Sequence, residues 1–139
     1  MTGFLLDTNV LSETRKPKPH GGVIAWLRTL DPAQIFICAF SFGEIQWGIE
    51  RTRENAPSRA TELELWLDAA IKAHRILPMD AACFREWGRI VKGKSDHLRS
   101  DALIAAAARV HGLTVATRNV KDFTRFHVPV YNPFDFARE

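Results

Sequence analysis

Short apolar runs alternate along the chain with segments in which apolar residues recur every three or four positions. The continuous runs predict buried strands, and the wider spacing predicts amphipathic helices. Strands are predicted at residues 3–6, 35–40, 75–78 and 113–117, with a fifth at 128–131. Helices are predicted at residues 21–30, 41–53, 59–74 and 100–111, and another begins at Asp80. Helices therefore follow strands in regular alternation.

This alternation predicts an α/β fold in which helices cover both faces of a central, mostly parallel sheet of four or five strands. The chain has 139 residues, which suits a single domain spanning residues 1–139. In such sheets, ligands bind beyond the carboxyl ends of the strands. Candidate catalytic and metal-binding residues are therefore expected at that edge.

Composition and charge exclude only a few classes of function. The formal charge of +3 is compatible with a polyanionic partner such as a nucleic acid but does not require one. The two cysteines, Cys38 and Cys83, lie in apolar surroundings and lack metal-site spacing, so both are interpreted as buried free thiols. The N-terminus does not resemble a signal peptide, and no stretch is apolar enough for a membrane span. We expect a cytoplasmic protein without a membrane partner.

Acidic residues follow the predicted strands at the carboxyl edge. Asp7 comes directly after the first strand, Glu44 lies in the first turn of the helix after the second, and Asp101 lies in the first turn of the alanine-rich helix. The polar segment that follows the fourth strand reaches the same edge and includes Asn119 and Asp122. Crowded carboxylates repel one another, and a hard divalent cation such as Mg²⁺ or Mn²⁺ would relieve that repulsion. Hydrolysis of a phosphodiester is the chemistry that such a site supports.

Each of the three acids also has a purely structural interpretation. Asp7 could cap the short helix that follows it. Ser41 and Glu44 match the capping-box pattern, in which the glutamate bonds to the backbone at the start of its own helix. Asp101 in a first helical turn is favoured by the helix dipole. Only the predicted convergence of the three at one edge argues for chemistry.

Five motifs resemble those of the PIN-domain proteins, in particular the VapC-type toxins of bacterial type II toxin–antitoxin systems and their FitB-like branch. In chain order they are Leu5-Leu6-Asp7-Thr8-Asn9-Val10, Ser41-Phe42-Gly43-Glu44-Ile45 with Gly48, Ser100-Asp101-Ala102-Leu103-Ile104-Ala105-Ala106, Ala116-Thr117-Arg118-Asn119-Val120-Lys121-Asp122-Phe123 and Asn132-Pro133-Phe134. The ordered set spans nearly the whole chain and is strongly specific.

The resemblance implies a PIN-like three-layer sandwich and a Mg²⁺-dependent endoribonuclease, with Mn²⁺ as a possible substitute. It also implies inhibition by a cognate VapB- or FitA-like antitoxin and assembly as a homodimer. The metal-binding acids of the family correspond to Asp7, Glu44 and Asp101, and the polar residues that line the site correspond to Asn9 and Thr117. Many relatives have an aspartate where this chain has Asn119, so either Asn119 or Asp122 fills the fourth catalytic position.

Two alternatives come from other classes of protein. A haloacid-dehalogenase-like phosphotransferase also begins with a strand and an aspartate, but that family requires a second aspartate at the position of Asn9. A non-catalytic PIN-like binding module would not need the three acids. Metal titration separates the module from the nuclease, because a module would show no acid-dependent affinity for Mg²⁺ or Mn²⁺.

Overall fold

The central sheet has five parallel strands in the computed structural model, which describes residues 2–137. The strands are β1 (Phe4–Leu6), β2 (Ile35–Cys38), β3 (Arg75–Leu77), β4 (Thr114–Ala116) and β5 (Val130–Tyr131). Their order across the sheet is β3-β2-β1-β4-β5, and every neighbouring pair is parallel. The predicted α/β architecture is confirmed. β1 lies at the centre, so the residue that follows it lies in the middle of the carboxyl edge.

Helices connect the strands, as parallel pairing requires. They are α1 (Thr8–Leu11), α2 (Gly21–Arg28), α3 (Ala39–Asn55), α4 (Pro57–Ala73), α5 (Ala81–Val91), α6 (Arg99–His111) and α7 (Val120–Thr124). Short 3-10 turns cover Ser12–Arg15, Pro32–Gln34, Asp96–Leu98 and Pro133–Asp135. None of the helices between residues 2 and 137 has the length and apolarity that crossing a bilayer requires.

The sheet separates two apolar cores, because successive strand residues point to opposite faces. Leu5 and Val115 pack in the core that includes α5, α6 and α7. Their neighbours Leu6 and Ala116 pack in the core that includes α1 and α2. Both faces of the sheet are therefore covered by apolar cores, which explains why the strands are apolar at consecutive positions.

Local sequence signals set several helix boundaries. The Asp80 side chain accepts a hydrogen bond from the Cys83 amide at the start of α5, as predicted. Gly112 ends α6 in the left-handed conformation at φ 65°, which a residue with a side chain rarely adopts. Cys38 and Cys83 are both buried free thiols, as the sequence indicated.

The predicted boundaries at the two ends of α3 were wrong. The second strand ends at Cys38 and α3 begins at Ala39, so Phe40 and Ser41 are helical and not a strand end and a helix cap. A six-residue apolar run does not distinguish a buried strand from a buried first helical turn. The break predicted at residues 55–58 shrinks to Ala56, because Pro57 provides a favourable first position for α4.

Candidate active site

Asp7 lies at the centre of the carboxyl edge and is the N-cap residue of α1. Its backbone amide donates to the Ala116 carbonyl at 2.9 Å, which extends the pairing of β1 with β4 by one residue. One carboxylate oxygen, Oδ1, accepts from the Thr8 amide at 2.8 Å. The capping interpretation of Asp7 is therefore correct, but it accounts for only one of the two carboxylate oxygens.

The other oxygen of Asp7 is held by two side chains. Thr117 donates its hydroxyl to Oδ2 at 2.7 Å, and Asn9 donates its amide to the same atom at 3.1 Å. Asp7 is only 4% exposed, and its burial raises the pKa of the carboxyl group, although the bonds from Thr117, Thr8 and Asn9 oppose that rise. Thr117 and Asn9 line the site as the resemblance implied.

Glu44 faces Asp7 from α3. Its Oε1 accepts a hydrogen bond from the Thr8 hydroxyl at 3.0 Å. The capping-box interpretation of Glu44 is wrong, because α3 begins at Ala39 and places Ser41 inside the helix. Burial raises the pKa of Glu44, the bond from Thr8 opposes this, and the charge of Asp7 raises it further. The two carboxylates are thus close enough to repel each other.

Asp101 enters the same site from the first turn of α6. Burial, followed by the charges of Asp7, Asp122 and Glu44 in that order, raises the pKa of Asp101 to about 7. The structure therefore brings the predicted acids into one electrostatic group, with Asp122 as a fourth member. A carboxyl group with such a pKa is half protonated near neutral pH.

Asn119 contributes to the site in a different way. Its backbone amide donates to the Thr117 hydroxyl oxygen at 2.9 Å, and the same hydroxyl group donates to Asp7. Asn119 is exposed and precedes α7, the helix that carries Asp122. Of the two candidates for the fourth position, Asp122 supplies the charge that acts on Asp101.

The donor set fits a hard divalent cation. Within residues 2–137, no lysine, arginine or histidine forms an ion pair with Asp7, Glu44, Asp101 or Asp122. Among residues 2–137, no group of three Asp, Glu, His or Cys side chains is close enough together to hold a metal ion by itself. Mg²⁺ does not require one, because it usually takes one or two protein carboxylates and keeps several waters.

Sequence reasoning missed Glu13, a charged residue that is only 4% exposed. Its carboxylate contacts the Lys16 ammonium group and accepts from the His20 amide at 2.9 Å. Burial opposes ionisation of Glu13, but these two bonds and the charges of Lys16 and Arg118 outweigh it and lower the pKa. The only sequence signal was an acid three residues before a lysine, in a segment that resembles a solvated basic loop.

The sequence pattern of the PIN domain matches residues 4–127, which is most of the chain. The chain belongs to the PIN-domain family. Toxin FitB of Neisseria gonorrhoeae is 33% identical over 139 residues, which cover 94% of this chain and 98% of that protein. VapC ribonuclease Y4jK of Sinorhizobium fredii is 29% identical over 141 residues, which cover 96% of this chain and 99% of that protein.

A solved structure shows the same PIN fold. The crystal structure of FitAcB from Neisseria gonorrhoeae has a TM-score of 0.84 and 32% sequence identity, and the match covers 96% of this chain and 99% of that chain. These relatives match nearly end to end, so the similarity extends over whole proteins and not over fragments of them. Membership of this family removes the haloacid-dehalogenase alternative.

Proposed function

We propose that this chain is a single-domain toxin of a type II toxin–antitoxin system, and that it is a Mg²⁺-dependent endoribonuclease held inactive by a cognate antitoxin. The observation that supports the proposal is the convergence of Asp7, Glu44, Asp101 and Asp122, none of which pairs with a basic side chain among residues 2–137. Burial and the neighbouring carboxylates together raise the pKa of Asp101 to about 7. The similarity to a FitB toxin and a VapC ribonuclease supports the choice of substrate and system. A cytoplasmic location follows from such a role.

Asp7 and Asp101 would hold the cation directly or through water, and Asp122 would add charge at the fourth position. When bound, the ion lowers the pKa of a water molecule and neutralises charge that develops on the phosphate. Glu44 would act as a further ligand or as the general base that accepts a proton from the attacking water, since burial and the charge of Asp7 raise its pKa and so strengthen it as a base. Hydrolysis would leave a 3′-hydroxyl and a 5′-phosphate.

Thr117, Asn9 and Thr8 would position the acids. Thr117 and Asn9 both donate to Oδ2 of Asp7, so they fix the orientation of its carboxylate. Thr8 connects the two acids, because its amide donates to Asp7 and its hydroxyl donates to Glu44. These bonds would keep oxygen atoms directed toward the cation with little rearrangement.

The test is cleavage of a defined RNA by the purified chain with Mg²⁺, followed by mapping of the new ends. Asp7→Asn should lower the cleavage rate about 100-fold or more, because the amide removes a charge from the site. Asp68→Asn is the matched control, because Asp68 lies exposed on α4 and should leave the rate unchanged. If the wild-type chain cleaves no RNA with Mg²⁺ or Mn²⁺, or if Asp7→Asn cleaves at the wild-type rate, the proposal is wrong.

A groove of about 250 Å³ beside the site is the surface that we propose for the antitoxin. Residues of α3 and α4 line it together, namely Ile45, Ile49, Leu63 and Trp66, and Thr8 reaches it from the active site. An apolar helix or extended segment suits such a groove. Ile45→Asp should weaken inhibition by the antitoxin without weakening cleavage. The homodimer stays a prediction, which sedimentation of the purified chain would test.

A further inference from the structure

Arg118 is a cation that lies on an aromatic ring and directly follows Thr117, the residue that donates to Asp7. Its guanidinium carbon lies 3.8 Å from the centre of the Phe134 ring. Its backbone amide donates at 3.3 Å to Oδ1 of Asn9, whose amide group donates to Asp7. Arg118 is therefore connected to the central carboxylate through a single intervening side chain.

The aromatic support of Arg118 is itself anchored. Phe134 is partly buried against the core on the α1 and α2 face. Its amide donates to the Asn132 side chain at 3.0 Å, and the His20 ring packs edge-on against its ring with centroids 5.0 Å apart. A guanidinium on such a platform loses less freedom when it binds a ligand than a free surface arginine does.

The charge of Arg118 acts on the buried Glu13 carboxylate, which Lys16 already contacts, but Arg118 forms no ion pair with it. Arg118 is exposed, and it forms no ion pair with any carboxylate of residues 2–137. It lines an open cleft of about 560 Å³ together with the cation Lys121, the amide Asn132 and the acids Asp122 and Asp135. Asp122 connects that cleft to the acid cluster, because its charge acts on Asp101.

The acid cluster, formed by Asp7, Glu44, Asp101 and Asp122, would repel a polyanionic strand. A cation bound there would offset this repulsion only at the reacting phosphate. A neighbouring phosphate needs its own positive partner. A planar guanidinium matches the geometry of phosphate oxygens and stacks on an aromatic ring at the same time. The cleft that contains Arg118 shares Asp122 with the acid cluster, so it adjoins the site where the reacting phosphate would bind.

We propose that Arg118, held on the Phe134 ring, binds a backbone phosphate of the RNA next to the scissile bond. The inference rests on the proposed ribonuclease function and assigns a substrate-binding residue to the same site. Because the contact is to phosphate, it positions the strand and does not read its sequence. Arg118→Ala should therefore weaken binding to RNAs of different sequence by a similar factor.

The test measures binding of a labelled single-stranded RNA by fluorescence anisotropy in EDTA, where cleavage does not interfere. Arg118→Ala should raise the Kd about tenfold. It should also reduce the slope of log Kd against log salt by about 0.7, the value for one phosphate contact with a single strand. Arg118→Lys should recover part of the affinity, because it restores the charge but not the planar stacking.

Arg85→Ala is the charge-matched control, because Arg85 is exposed on α5 and does not line the cleft. In Mg²⁺, Arg118→Ala should raise the KM for RNA more than it lowers kcat. If wild type binds and cleaves RNA while Arg118→Ala and Arg85→Ala bind equally well, the role of Arg118 is wrong and the ribonuclease function stands. The same holds if Arg118→Ala weakens only inhibition by the antitoxin. If wild type neither binds nor cleaves RNA, both proposals are wrong.

Discussion

Replacement of Asp101 by asparagine should change how the stability of the metal-free protein depends on pH. The folded chain raises the pKa of Asp101 from 3.8 to about 7, mainly by burial and by the charges of Asp7, Asp122 and Glu44. The folded state therefore holds the Asp101 proton more tightly than the unfolded state does. Stability from this group is fully present below pH 3.8 and is lost as the pH rises through about 7.

The size of the effect follows from the two pKa values. The interval from 3.8 to about 7 corresponds to about 4 kcal/mol at about 1.4 kcal/mol per pH unit. Part of the interval lies below about pH 5, and Asp101 is only partly buried, so solvent screening reduces the figure further. We expect wild type to lose about 1 kcal/mol more than Asp101→Asn between about pH 5 and about pH 8.

The assay is urea unfolding of wild type and Asp101→Asn in EDTA at both pH values. The raised pKa values of Asp7 and Glu44 act in the same direction in both proteins, so the difference between the two pH dependences reports Asp101 together with its charge interactions with these acids. Addition of Mg²⁺ at about pH 8 should restore much of the stability of wild type and less of that of the variant. If the two proteins show the same pH dependence without metal, Asp101 does not lie among the other acids.

Three further substitutions test individual contacts by urea unfolding at neutral pH. Thr117→Val should cost about 1–2 kcal/mol, because it removes a buried donor at 2.7 Å from Asp7, and an unchanged midpoint would contradict this. Gly112→Ala should cost about 1 kcal/mol, because φ is 65° at the end of α6, whereas an increase in stability would show that the turn is not left-handed. Phe123→Ala should cost about 3–5 kcal/mol, because its ring is fully buried between α7 and α6, and a loss below about 1 kcal/mol would place it outside the core.

The convergence of Asp7 and Thr117 could be predicted from the sequence. Each follows an apolar run, and parallel strands that neighbour each other present their following residues at the same edge. The structure pairs Leu6 with Ala116 in register, so the next residues on the two strands meet. Strand positions were enough to place both residues at this edge, whereas their contact also requires that β1 and β4 be neighbours, which the sequence did not predict.

Glu44 was placed at the correct edge although the start of its helix was predicted incorrectly. The apolar run from Ile35 to Phe40 contains the end of β2 and the first turn of α3, and hydrophobicity alone does not separate them. The partner of Glu44, Thr8, lies 36 residues away in the chain, so the hydrogen bond between them depends on tertiary packing.

Glu13 and Arg118 could not be assigned from the sequence for the same reason. Glu13 lies near Arg15, Lys16 and Lys18, a composition typical of an exposed loop, yet it is buried and accepts from the His20 amide. The contact between Arg118 and Phe134 joins two segments on either side of β5. Neither contact follows a helical or strand period, so no local pattern predicts it.

Binding of a divalent cation by the acid cluster is the central claim, and Mn²⁺ titration of the purified chain measures it directly. The account predicts that wild type binds Mn²⁺, that Asp7→Asn and Asp101→Asn each weaken binding about tenfold or more, and that the exposed-site control Asp68→Asn does not. Equal Mn²⁺ affinity in wild type and Asp7→Asn, or no Mn²⁺ binding by wild type, would contradict it.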